Sequence, residues 1–145
     1  MIDGFTLADG VAQRINDGSY SYPVNASVEI PRENDPQSLK VVKCMVLPTS
    51  ESIANFTRND SDDTFTIGIS IQKLLDSGRN FDGEVRGLHV LVQEIRLQVE
   101  RERVTDANGD TWKCVSMEID PVFSPDHLLE QSLFTSVMNT DWRRV

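Results

Sequence analysis

Apolar and polar residues alternate most strictly in TFTIGISIQ, residues 64 to 72, where Phe65, Ile67, Ile69 and Ile71 are separated by Thr66, Gly68, Ser70 and Gln72. A sustained period of two predicts a β-strand with one face buried and the other wet. Val24, Ala26, Val28 and Ile30 alternate in the same way with Asn25, Ser27 and Glu29, which predicts an earlier half-buried strand. LKVVKCMVLP, residues 39 to 48, is a more apolar strand, and TWKCVSMEIDP, residues 111 to 121, carries Val115, Met117 and Ile119 on one face before Pro121 stops it. The chain closes on SLFTSVMNTDWRRV, residues 132 to 145. There Phe134, Met138 and Trp142 fall on one side and Leu133 and Val137 on the other, so the last strand is apolar on both faces.

Two segments follow the helical period instead. Residues 5 to 17 place Phe5, Ala8, Ala12 and Ile15 on one stripe with Leu7 and Val11 beside it, Thr6 and Asp9 resemble a capping box, and Gly18 stands where the helix should end. Residues 83 to 103, GEVRGLHVLVQEIRLQVERER, place Val85, Leu88, Leu91, Val92, Ile95 and Val99 on one side at about 100° per residue. Val90 and Leu97 land almost opposite that stripe, among Arg86, Gln93, Glu94 and Arg101. They are either tolerated surface residues or a second contact made with a neighbouring subunit. EIRLQVE within this segment also alternates at period two, so a strand there is the competing reading.

The connections carry turn chemistry. PRENDPQS, residues 31 to 38, is a turn; DANGD, residues 106 to 110, holds the Asn-Gly pair that marks a hairpin; SPDHLLEQS opens a short helical turn with Ser124 as N-cap and Pro125 at its first position. Residues 49 to 63 form a polar stretch that is long for a connector, hence a mobile or functional loop. Together these elements predict one α+β domain spanning 1–145, with an antiparallel sheet of four to five strands packed against an N-terminal helix and one long helix.

Composition narrows the function. A chain of 145 residues with net charge −9 opposes a phosphate backbone, since anion affinity rests on clustered Lys and Arg. The first 15 residues lack a basic region and an apolar run, which predicts a cytoplasmic protein without a membrane span and makes the Asn-x-Ser/Thr triplets at Asn25, Asn55 and Asn59 chance matches. Cys44 and Cys114 lack metal-ligand spacing and are expected as reduced thiols. Asp106, Asn108 and Asp110 begin like a calcium loop, but Thr111 and Met117 stand where Gly and Glu are required. Asp60, Asp62 and Asp63 are expected as a solvated charge run, and His89 and His127 have no Ser, Cys or second His at motif spacing. No catalytic residue, cofactor or metal is expected.

The order of elements, with LHVLVQEIRLQV in the middle, VSMEIDPVFSPDHLLEQSLF entering an Asp-Pro and a short turn, and LFTSVMNTDWRRV at the end, resembles the tail terminator or tail completion proteins of long-tailed bacteriophages. Phe134, Ser136, Met138, Thr140, Trp142 and Arg143 occupy the positions of that family's closing strand. The resemblance covers most of the chain and is architectural. It implies a non-enzymatic virion protein, assembled in the host cytoplasm. Its subunits would form a homo-oligomeric ring, usually six-fold, that caps the tail tube and offers a surface to the head-tail connector protein. DNA would only pass through the lumen. It also implies subunit contacts at Arg86, Val90, Leu97 and Arg101 on the long helix and at Met138, Trp142 and Arg143 on the closing strand. Other neck or head-closure subunits share that size and symmetry. Two readings from other classes stand beside it: a cytoplasmic adaptor holding a basic partner with the acidic loop, and a small hydrolase or isomerase built on His89 or His127.

Overall fold

The computed structural model describes residues 3–30, 39–53, 63–75, 81–101 and 103–145. Among them the chain forms α1 (Gly4–Asn16), β1 (Ala26–Val28), β2 (Lys43–Ser52), β3 (Thr64–Leu74), α2 (Phe81–Glu100), β4 (Val104–Thr105), β5 (Thr111–Ile119), α3 (Pro125–Gln131) and β6 (Leu133–Arg144). The strands make one six-stranded sheet in the order β1-β2-β3-β6-β5-β4. The α+β class therefore holds, but the sheet has six strands and is mixed, because β1 lies parallel to β2. A hairpin would have made that pair antiparallel; the stretch from 29 to 42 is long enough for a crossover, which a parallel pair requires.

Register sorts every residue to a face. Ile69 pairs with Val46 on one side and Met138 on the other, Ile71 with Cys44 and Ser136, and Phe65 with Trp142, so these side chains share the face covered by α1 and α2. β6 lies at the centre, between β3 and β5, and Phe134, Met138 and Trp142 are fully buried. Trp142 donates its indole N–H to Thr140 Oγ1 at 2.7 Å, and Thr140 in turn donates to the carbonyl of Ile67 at 2.8 Å, so both polar groups are satisfied inside the core. Phe65 and Trp112 stack at 4.8 Å between ring centres.

Both main helices bury one stripe. On α1 this is Gly4, Leu7, Ala8, Val11, Ala12 and Ile15. Leu7 and Val11 are thus central rather than flanking, and Phe5, expected inside, is 50% exposed. The N-cap is Asp3, one turn earlier than expected, accepting from the backbone N–H and the hydroxyl of Thr6 at 2.8 and 2.7 Å. Gly4 lies so close to β2 that a Cβ there would sit 2.6 Å from Pro48 Cβ, while its N–H donates to Glu51 Oε1. Pro48, which has no N–H for a ladder, stands at the bulge of β2. On α2 the buried stripe is Leu88, Leu91, Val92, Ile95 and Val99, and EIRLQVE is helical.

Both ends of β2 move. β2 begins at Lys43 rather than Leu39 and runs on to Ser52, so the first part of the expected 49–63 loop is strand paired with Thr64 to Thr66. Residues 54 to 62 and 31 to 38, with the turn and most of the loop expected there, lie outside the described residues. The DANGD turn and the Ser124 cap form as the sequence predicts, with Gly109 at φ 84°.

Candidate interface surfaces

The expected subunit contacts separate into two groups. Met138 and Trp142 are 0% exposed within a single chain. Their reading as contact residues is overturned: β6 is a central strand, and its apolar side chains are consumed by the chain's own helices and neighbouring strands. Arg143, near the end of β6, is exposed. On α2, Arg86 is exposed and Val90 and Leu97 keep 53% and 54% of their surface; Arg101, one residue past the helix, is exposed as well.

These four residues lie in line. Positions 86, 90, 93, 97 and 101 are spaced by three or four, which places them along one face of a helix. The result is a second stripe on α2, with Val90, Gln93 and Leu97 in the middle and a guanidinium at each end. Of the nearby acids, Glu94 accepts from the N–H and hydroxyl of Ser21, Glu100 pairs with Arg96 at 2.9 Å and Glu84 pairs with Lys73 at 2.9 Å, while Asp82 is exposed one turn before Arg86. Beside Leu97 the stripe opens into a groove of about 340 Å³ lined by Ser19, Tyr20, Glu94, Leu97, Gln98 and Arg101. Tyr20 is held there by donating to the carbonyl of Ile15 at 2.6 Å, and loss of hydration on burial pushes its pKa up to about 12.

Most of the candidate chemical groups among the described residues have structural partners. Asp106 uses Oδ1 to accept from the N–H groups of Asn108 and Asp110 and Oδ2 to accept from the indole of Trp112, which closes the hairpin turn over the core. Asp63 is not solvated: it is 1% exposed and pairs with Arg144 at 3.0 Å, while its carbonyl accepts the Arg144 N–H. Asp60 and Asp62 lie outside the described residues. His127 meets the Thr135 hydroxyl at 2.9 Å, a contact not visible as a sequence motif; Thr135 is 6% exposed, and the bond fastens α3 to β6. His89 Nδ1 is buried with no partner among the described residues.

Cys44 and Cys114 are free. β3 and β6 separate their strands, a span of roughly 14 Å that no disulfide covers. Burial pushes the thiols up to about 12 and about 11. On the sheet face away from α1 and α2, Asp141 accepts from Ser116 and Thr66 hydroxyls, both at 2.6 Å, and these bonds hold its carboxyl below the usual range.

No helix among the described residues is long and apolar enough to cross a membrane. No known protein family matches the chain, and no curated protein does. Among solved structures 27 chains match. One aligns over 97% of this chain and 92% of its own length at 10% identity, with a TM-score of 0.47, and its name states no function. A likeness that weak carries no argument. The surface that the chain's own geometry marks out is the outer stripe of α2.

Proposed function

We propose that this chain is a structural virion subunit that closes into a homo-oligomeric ring, six-fold in our reading. The ring sits on the head-proximal end of a phage tail, ends polymerisation of the tail tube and presents the surface that the head connector joins. The identity of the assembly rests on the resemblance of α2, the Asp120-Pro121 turn and the closing strand to tail terminators. The observation that carries the oligomeric part is the α2 stripe, where Val90 and Leu97 stay more than half exposed between Arg86 and Arg101. An apolar centre with a charged rim is the anatomy of a protein contact, and Arg is the cation that such contacts favour. A net charge of −9 suits a ring through which DNA passes without adhering.

The role requires no catalysis. An adaptor working through an acidic loop loses one of its three carboxylates, because Asp63 is buried against Arg144. The test is incubation of purified protein with isolated tail tubes, followed by electron microscopy with a tag-directed gold label. Label at one tube end, and arrest of further tube growth, supports a terminator. Label on purified connectors alone supports a head-closure subunit, and label on neither removes the virion reading.

A further inference from the structure

The α2 stripe has a counterpart elsewhere on the same chain. α3 and the residues leading into it expose Val122 at 41%, Phe123 at 38% and Leu129 at 85%, the last being the most exposed large apolar side chain among the described residues. Asp126 and Glu130 stand three residues before and one after Leu129, so all three share one side of the short helix, and both acids are exposed. From Cys114 to Trp142 the chain carries Glu118, Asp120, Asp126, Glu130 and Asp141 and no Lys or Arg. Among the described residues, no ion pair is formed by Asp126, Glu130, Arg86 or Arg101. The molecule thus exposes one apolar patch with an arginine toward each end, Glu94 in its groove and Asp82 beyond Arg86, and another rimmed by carboxylates alone.

They also lie at different places. α2 packs on the core face of the sheet, whereas His127 ties α3 to Thr135, whose register partner Gln72 lies on the opposite face. We infer that the α3 knob of one copy docks on the α2 stripe of the next, with Leu129 in the groove beside Tyr20 and Leu97 and with Asp126 and Glu130 facing Arg101. This inference rests on the ring reading and names its two surfaces. Charge selects this pairing over self-pairing. Two α2 stripes brought together in antiparallel fashion would set Arg86 against Arg101, and in parallel fashion each Arg against itself. Two α3 knobs would set carboxylates together. Like charges across a contact oppose association, so neither patch forms a two-fold contact with its own copy. A contact between two different patches is head-to-tail and closes into a ring when its rotation permits.

The test uses two blocked variants of the full chain, Leu97→Asp and Leu129→Asp, followed by sedimentation velocity at matched concentration. Both positions are more than half exposed, and unchanged circular dichroism melts establish that both variants fold. The expected result is assembly of the unaltered chain, monomers for each variant alone, and a complex of two chains, no larger, when the variants are mixed, since one intact stripe then meets one intact knob. As a second arm, Asp126→Lys with Glu130→Lys abolishes assembly, and adding Arg86→Glu with Arg101→Glu restores it. If the unaltered chain assembles and Leu129→Asp assembles equally well, or if the mixed variants stay monomeric, the pairing is wrong while the ring stands. If the unaltered chain stays monomeric throughout, both fall.

Discussion

β6 and α2 each carry apolar residues on more than one face, yet they end up in opposite environments. On β6, Phe134, Met138 and Trp142 are buried under α1 and α2, and Leu133, on the other face, is 3% exposed. On α2, Val90 and Leu97 remain in water while the other stripe of the same helix is completely buried. The difference is positional. A central strand has neighbours along both edges and a layer above it, so its own chain can cover it. A helix lying on a sheet has one covered face, and whatever points away from the sheet stays in water unless a partner covers it. Apolar residues outside a single expected face are thus self-buried on a central strand and exposed on an outer helix, where the proposed ring would cover them.

Four changes probe this contrast, from the largest expected effect to the smallest. Trp142→Ala removes a fully buried indole and leaves Thr140 without its donor, and should cost about 3–5 kcal/mol, read as a shift in the denaturant midpoint. A loss under about 1 kcal/mol would mean that β6 is not core. Asp63→Ala strips Arg144 of its nearest carboxylate at the end of the same strand and should cost about 2 kcal/mol in the same titration.

Asp141→Asn weakens two hydroxyl bonds on the sheet face opposite α1 and α2 and should cost about 1 kcal/mol at neutral pH. Its sign with pH is fixed. The folded carboxyl titrates below its ordinary 3.8, so its contribution is present above that value and is lost as pH falls below it through the folded value. The variant should therefore lose less stability than the native chain on acidification below about pH 4, in thermal melts taken across that range. Val90→Asp with Leu97→Asp should change monomer stability by no more than about 0.5 kcal/mol, since both residues already face solvent. Unfolding of that variant would place the stripe in the core.

Much of this architecture was legible in the alternation and the helical periods. Ile67, Ile69 and Ile71 fix the buried face of β3, and Leu88, Leu91, Val92, Ile95 and Val99 fix that of α2, with Val90 and Leu97 on the outside. What failed depended on partners that a local pattern cannot name. Phe5 fits the stripe of α1 by period, but the helix is turned so that Gly4 meets Pro48, which leaves Phe5 in water. The polar end of β2 pairs as strand with Thr64 to Thr66 because β3 offers its edge, and polar Ser50 and Ser52 gave no local sign of it. The direction of β1 depends on the path of the 29–42 connection, and the burial of Asp63 on Arg144, far along the chain. Met138 and Trp142 were misread as contacts because a strand apolar on both faces looks the same whether its cover comes from its own chain or from another.

The most direct test of the account is the solution mass, by light scattering over a wide range of protein concentration, of the native chain beside Val90→Asp with Leu97→Asp, with electron micrographs of the main species. The account predicts for the native chain a closed particle with a central hole and a mass near six times the 16.3 kDa of one subunit, and for the variant a folded monomer. A native chain that is monomeric at every concentration, or a variant that assembles as the native chain does, would contradict it.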